Sequence, residues 1–202
     1  AVISPTLKPI NSPNGTHLAR FGFGYSVFER AADKLKLDLL QTAHLTKSIK
    51  LSRLRISNRS NLRRRLTITF YAEWALGASR AANAPFIHTA IDENTGAMFA
   101  RNPWNLTPSG QVSFADMGGR QSSWTGDRRE FLGAFGYLPD PAVLRSGAPL
   151  SGAVGAGFDP CCAMQVSISL GPGESDEIVI LLGAAANEAE AQSLILDARR
   201  EG

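Results

Sequence analysis

The stretch RLTITFYAEW (65–74) decides the class of fold. Leu66, Ile68, Phe70, Ala72 and Trp74 fall on one side of an extended chain, and Arg65, Thr67, Thr69, Tyr71 and Glu73 on the other. Successive side chains of a strand point to opposite faces, so the segment reads as a β-strand with one buried and one polar face. Its β-branched and aromatic residues suit a pleated surface. Upstream, Leu35, Leu37 and Leu39 alternate with Lys34, Lys36 and Asp38 in the same way. FGFGYSVFE (21–29) is also extended, and Gly22 and Gly24 predict a bulge or a close approach of another backbone. In KSIKLSRLRIS (47–57), Ile49 and Leu51 share one face but Leu54 and Ile56 the other. That slip predicts a bulge or a change of partner near Ser52-Arg53. Asn58 to Asn61 predicts a turn.

Downstream, PFIHTAID (85–92) and AMFARNPW (97–104) flank Glu93-Asn94-Thr95-Gly96, which predicts a hairpin closed by a short loop. QVSFAD (111–116) is a further short strand, and residues 126–133 predict one helical turn capped by Asp127. Residues 138–160, rich in Gly, Pro, Ala and Ser, read as a long excursion of the functional or interface kind. MQVSISL (164–170) and EIVILLG (177–183) are the last strands, and the second, apolar on both faces, is expected at the centre of its sheet. NEAEAQSLILDARRE (187–201) predicts a helix capped by Asn187, read as a linker with little partner surface in the chain. The organisation expected is an arm over 1–18, a β-domain over 19–185 and the start of a helical linker over 186–202. Many short strands without a βαβ rhythm make the chain all-β, a large antiparallel sandwich.

A length of 202 residues with 44% hydrophobic residues suits one sizeable core. The net charge of +3 is mild, and Arg63-Arg64-Arg65 leads straight into the strand, which argues for a solvated strand start and against nucleic acid as a partner. No apolar run approaches the roughly 20 residues of a membrane span, and the N-terminus lacks a signal pattern. An opening on Ala1 fits a piece of a longer protein, whose other parts could hold membrane segments. Cys161 and Cys162 are adjacent, too strained for a mutual disulfide, and read as reduced structural thiols. His17, His44 and His88 are scattered without cysteine partners, so no metal site is expected. The glycines of 152–157 do not follow a strand and open a helix, so no phosphate-cradling loop and no cofactor are expected.

Chemistry is densest in GGRQSSWTGDRREFLG (118–133), where Arg120, Arg128 and Arg129 gather near Gln121, Trp124, Asp127 and Glu130. Guanidinium forks beside an indole suit a sugar or phosphate site. They equally suit a surface loop whose arginines and acids pair with one another. There is no G-x-S-x-G elbow. Glu73 reads as a polar sheet position beside Tyr71 and near the Arg63–Arg65 cluster. Trp74 reads as core; Trp104 and Trp124 lie in or beside loops, where sugar stacking and a structural tuck both remain open.

These segments, taken in order from FGFGYSVFERA through SRLRISNRSNLRRRLTITFYAEWALG, APFIHTAIDENTGAMFARNPWN and FADMGGRQSSWTGDRREFLG to PLSGAVGAGFDPCCAMQVSISLGPGESDEIVILLG, resemble one known domain. It is the N-terminal β-sandwich of the glycoside phosphorylases of glycoside hydrolase family 94, and within them the phosphorylase-like region of cyclic β-1,2-glucan synthases. The resemblance implies a two-sheet antiparallel supersandwich of the galactose mutarotase-like kind, followed by a linker helix and an (α/α)₆ barrel. That barrel carries the family's catalytic Asp, which acts as general acid while phosphate attacks with inversion. On this basis the present chain alone is expected to be inactive. It would act in substrate positioning and homodimerisation, with β-glucan or oligosaccharide and inorganic phosphate as partners of the whole protein. The location implied is cytoplasmic, or the cytoplasmic side of the inner membrane. D-R-x-x-F-L-G maps to Asp127, Arg128, Phe131, Leu132 and Gly133, which implies a substrate-edge role for Arg128 with Asp127 orienting it. Gln121, Arg120 and Trp124 are further substrate-binding candidates, and Phe131 and Leu132 would anchor the loop. Two other functions compete: a stand-alone mutarotase-like epimerase using Glu73 with His44 or His88, and a glucan-binding module.

Overall fold

A computed structural model of the protein describes residues 2–10, 14–104 and 111–201; Ala1 and residues 11–13 of the predicted arm, and Gly202, lie outside them. In chain order the elements are β1 (Thr16–Gly22), β2 (Tyr25–Ala32), β3 (Leu35–Ala43), β4 (Ile49–Asn58), β5 (Arg64–Glu73), α1 (Arg80–Asn83), β6 (His88–Ile91), β7 (Met98–Arg101), β8 (Val112–Asp116), β9 (Ser123–Asp127), α2 (Arg128–Leu132), α3 (Ala142–Ser146), β10 (Pro160–Leu170), β11 (Ser175–Ala185) and α4 (Glu188–Glu201). An eight-stranded sheet runs β1-β2-β3-β4-β11-β8-β7-β6 and faces a three-stranded sheet, β5-β10-β9. Every pairing is antiparallel. The chain is therefore an all-β antiparallel sandwich, as the alternation implies.

The inward row of β5 packs between the sheets against Leu37, Leu39, Leu54 and Ile56 of the large sheet and Met164, Val166 and Ile168 of β10. β11, apolar on both faces, lies between β4 and β8. A second core covers the outer face of the large sheet. Ala191, Ile195 and Ala198 of α4 form one stripe and meet Phe99, Val112, Phe114 and Leu181. The C-terminal helix is thus docked along the sheet, which corrects the expectation of little partner surface. Asn187 Oδ1 caps it by accepting the Glu190 N–H at 2.9 Å.

The same outer core explains the slip read in 47–57. Ile49 and Leu51 belong to the outer core, Leu54 and Ile56 to the inner one, and β4 pairs with β3 and β11 without a register shift. No bulge is needed, because the strand is covered on different faces at its two ends. A bulge does occur in β10. Pro160 pairs with Asp127 and Ala163 with Thr125, so Cys161 and Cys162 together oppose Gly126. Both thiols are free and buried, one against Phe131 and Leu132, the other in the main core. Gly22 and Gly24 make no bulge either: β1 and β2 form a hairpin that turns at Phe23-Gly24, with Gly24 at φ +78°. The predicted limit of the arm at residue 18 falls inside β1. The segment before it is tied down through Ile3 in the main core and through Arg30, which donates to Ser4 O at 2.9 Å and Asn14 O at 3.0 Å.

The excursion over 138–160 holds α3 and serves as a strap. Thr89 N, on the edge strand β6, donates to Gly155 O (3.0 Å), while Gly126 N on β9 donates to Ala153 O (2.7 Å). Gly152 N returns a bond to Trp124 O (2.8 Å). One loop therefore satisfies an edge of each sheet and closes the side of the sandwich. Among the described residues no helix is long and apolar enough to cross a membrane, and no group of His, Cys, Asp and Glu could hold a metal ion.

Candidate functional site

The five residues singled out in 118–133 do not converge. Arg120 is turned to the start of β11, where it forms a fork with Asp176 (3.0 and 2.6 Å) and donates to Glu177 O at 3.0 Å. Gln121 knits loops: its Nε2 donates to Gly96 O at 2.6 Å and to Asp116 Oδ1 at 3.3 Å, and its Oε1 accepts the Met117 N–H. Trp124 is not on a loop but in β9, half-buried against the main core. Asp127 caps α2 by accepting the Arg129 N–H at 2.9 Å, as the sequence predicts. No bond joins its carboxylate to the Arg128 guanidinium among the described contacts. The orienting role expected of Asp127 passes to other residues.

Those residues are Glu73 and Asp159. Arg128 Nε donates to Glu73 Oε1 at 2.8 Å, and its two terminal nitrogens reach Asp159 Oδ2 and Gly136 O, each at 3.4 Å. Arg80 joins the same two acids from α1: it bonds Asp159 Oδ1, and its Nε lies 3.0 Å from Glu73 Oε2. That Nε finds no aligned acceptor, so the Glu73 contact acts through charge. Tyr71 completes the group by donating to Glu73 Oε1 at 2.8 Å while its ring stacks on Phe131. Two cations and two anions alternate in a closed ring with no net charge. It lies at the end of the small sheet where Glu73 pairs with Cys161 and Asp127 with Pro160. Glu73 thus keeps Tyr71 as a neighbour, but the Arg63–Arg65 cluster is at the far end of β5.

Burial pushes the Glu73 carboxyl up, but hydrogen bonds from Arg128 and Tyr71 and the charges of Arg128 and Arg80 outweigh it and hold the carboxyl below its ordinary range. Asp176 is held down in the same sense by Arg120. A depressed carboxylate contributes stability that is present above its unfolded pKa and is lost as the pH falls through its folded pKa. We expect the melting temperature of the wild type to fall between about pH 6 and about pH 3, and Glu73→Gln to show a smaller fall over that window, read by circular dichroism. Equal falls would show that the ring does not titrate with folding.

Exposed aromatic residues flank Gly136 beside Arg128, and a further pair involves the segment after α1. Phe135 and Tyr137, 101% and 62% exposed, sit in the loop whose Gly136 O meets Arg128. Phe86 and Trp104 stack at 5.1 Å, with the indole 70% exposed. Asn102 braces them through Leu76 O and Asn83 Oδ1, both at 2.8 Å. Arg80 and Asp159 escaped the sequence reading because they meet across 79 positions with no local motif.

Glu73, engaged by two arginines and a tyrosine, is unsuited to proton abstraction. His44 accepts the N–H groups of Thr46 and Lys47 within its own turn, and His88 is exposed at the start of β6 in the other sheet. The epimerase constellation is not assembled. Burial pushes both cysteine thiols upward, with nearby carboxylates adding to the effect at Cys161, so neither is an activated nucleophile.

The profile of the glycosyl hydrolase 94 supersandwich domain matches residues 1–201. The cyclic beta-(1,2)-glucan synthase NdvB of Rhizobium meliloti (strain 1021) is 33% identical over 201 residues, 100% of this chain, and the chain spans 7% of that relative's length. Among solved structures, a bacterial glucoamylase complexed with acarbose matches with a TM-score of 0.63 at 6% identity, covering 94% of this chain and 26% of that one. A polysaccharide lyase matches with a TM-score of 0.53 at 9% identity, covering 85% of this chain and 23% of that one. Both structural likenesses bear on the fold alone. The chain belongs to the supersandwich-domain family of glycosyl hydrolase 94, a carbohydrate-associated domain.

Proposed function

We propose that this glycosyl hydrolase 94 supersandwich domain is the non-catalytic sandwich of a larger glucan-handling enzyme, and that its Arg128-bearing end forms the edge of a sugar site completed by another domain. The observation that carries the reading is the fixed guanidinium. Glu73 and Asp159 hold Arg128 in one orientation at a partly exposed end, beside the loop that carries the exposed Phe135 and Tyr137. Orientation in advance removes rotamer entropy from binding, and an arginine with its Nε occupied still offers terminal N–H donors to hydroxyls or phosphate. The similarity to a cyclic beta-(1,2)-glucan synthase supports a β-1,2-linked glucan as the sugar; a cytoplasmic parent, or one at the cytoplasmic side of the inner membrane, rests on the family likeness. Inorganic phosphate as co-substrate and a homodimer rest on the family likeness.

Titration of the 202-residue chain with β-1,2-gluco-oligosaccharides tests the reading. We expect weak saturable binding. It should fall about tenfold or more in Arg128→Ala, as loss of a charge-assisted hydrogen bond of about 1.5–3 kcal/mol requires. Arg120→Ala, at the other end, should leave it unchanged. Equal losses in the two variants, or phosphorolysis by this chain alone, would sink the proposal.

A further inference from the structure

We infer that the end of the sandwich opposite the Arg128 ring docks on an anionic lipid surface. Three turns meet there: Asp33-Lys34 between β2 and β3, residues 59–63 between β4 and β5, and residues 171–174 between β10 and β11. Asn58, 0% exposed, ties them together. Its Nδ2 donates to Leu62 O (2.8 Å), Leu170 O (3.1 Å) and Gly171 O (2.9 Å), and its Oδ1 accepts from Ser60. Beside it, Arg59 N donates to Lys34 O at 2.8 Å, and the Arg64 guanidinium donates to Asp33 O at 3.2 Å.

The turns and the start of β5 carry five cations, Lys34, Arg59, Arg63, Arg64 and Arg65, against two acids, Asp33 and Glu174. That excess equals the net charge of +3 of the whole chain. None of the five has an ion-pair partner among the described residues, whereas the neighbouring Lys36 and Arg120 are matched by Asp38 and Asp176. The Glu174 carboxylate is engaged by the Gly171 N–H. Lys34 stands at φ +60°, in a turn where glycine is usual, so the chain accepts backbone strain and keeps a cation at the tip. Leu62 lies in the same base, 66% exposed, with its carbonyl held by Asn58. Unpaired cations spread over separate turns suit a surface of many negative charges better than a single anion. A leucine held out beside them suits the apolar layer beneath lipid headgroups, and a nucleic acid would leave it in water. The ten residues of β5 then hold the Arg128 end on the order of 30 Å from the bilayer. The inference rests on this end alone and is independent of the sugar site.

Co-sedimentation of the chain with phosphatidylcholine vesicles, with and without about 30% phosphatidylglycerol, tests it. We expect binding to the anionic vesicles alone, and its loss in about 0.5 M sodium chloride, where charges are screened within a few ångström. Arg59→Gln, Arg63→Gln and Arg65→Gln combined should weaken it at least about tenfold, since each cation near an anionic leaflet contributes about fivefold. Arg145→Gln, on α3 at the Arg128 end, should leave it unchanged. Leu62→Ser should weaken vesicle binding about fivefold and leave binding of soluble heparin as it was. The triple variant should keep the Arg128-dependent sugar binding, so the two readings fail separately. Absence of binding to anionic vesicles, equal losses in Arg145→Gln and the triple variant, or vesicle binding unchanged in Leu62→Ser would overturn the inference; the last would leave a site for soluble polyanions only.

Discussion

Asp116→Ala should cost the domain about 3–5 kcal/mol, the range for breaking a buried ion pair by removing one partner. Asp116 is 0% exposed, and Arg199 closes on it with Nε at 3.0 Å and a terminal nitrogen at 2.6 Å. The Gly118 and Gly119 N–H groups donate to the same carboxylate at 3.0 and 3.2 Å. Arg199 also donates to Thr95 O at 2.6 Å, so one guanidinium ties α4 to both β8 and the β6–β7 hairpin. Removing the carboxylate strands a partly buried cation and leaves two backbone donors without their acceptor. Asp116→Asn keeps an acceptor for the glycines and should cost less. Arg199→Ala should match Asp116→Ala, because it leaves the anion buried and unpaired. Urea unfolding of the variants checks this. A cost below about 1 kcal/mol for Asp116→Ala would mean that the apolar stripe of Ala191, Ile195 and Ala198 docks the helix unaided.

That pair also explains why GGRQSSWTGDRREFLG misleads when read alone. Gly118 and Gly119 sit at φ +68° and +70°, where a side chain is strained, and a Cβ on Gly119 would stand 2.9 Å from the Arg199 guanidinium. The two glycines wrap a buried carboxylate instead of cradling a ligand. Arg120 and Gln121 serve that end of the molecule, while Arg128 serves the opposite end, and the half-buried Trp124 lies in the strand between them. Proximity along the chain implied one site because a five-residue strand, β9, was read as loop. Its alternation is hidden: Gly126 has no side chain to show it, and Thr125 is buried although polar.

The strands that were legible carry their pattern within themselves. β5, β3 and the β6–β7 hairpin need no knowledge of their partners, and the same holds for the helix caps at Asp127 and Asn187. What local pattern could not show was which layer covers a face. The face change in β4 was visible, but its cause lies in α4, whose stripe is modest among charged neighbours. The ion ring was still less legible, since Glu73, Arg80, Arg128 and Asp159 come from four separate segments and none has a signature apart from the others.

Gly126→Ala should be the most damaging of the small substitutions, because the two sheets meet at that residue. Opposite Gly126, β10 spends Cys161 and Cys162 on one position, which brings β9 hard against the edge of the large sheet. A Cβ on Gly126 would overlap Thr89 Oγ1 and stand 3.3 Å from Thr89 Cβ and 3.4 Å from Ala153 O. Thr89 is 4% exposed and cannot swing into solvent. Its hydroxyl accepts the Gly155 N–H at 3.1 Å, so moving it also breaks the strap that closes the sandwich. Overpacking of this kind costs about 1–3 kcal/mol, and the lost hydrogen bond about 1 kcal/mol more. Thr89→Ala alone removes the hydroxyl and should cost only its two bonds with Gly155. Combined with Gly126→Ala it should relieve the overlap, so the double variant should be more stable than the sum of the single effects. Urea midpoints of the four proteins measure the coupling. Strict additivity would place the strain of Gly126→Ala elsewhere, at Ala153 O, and would mean that the strap and not the sheet edge sets the closest approach.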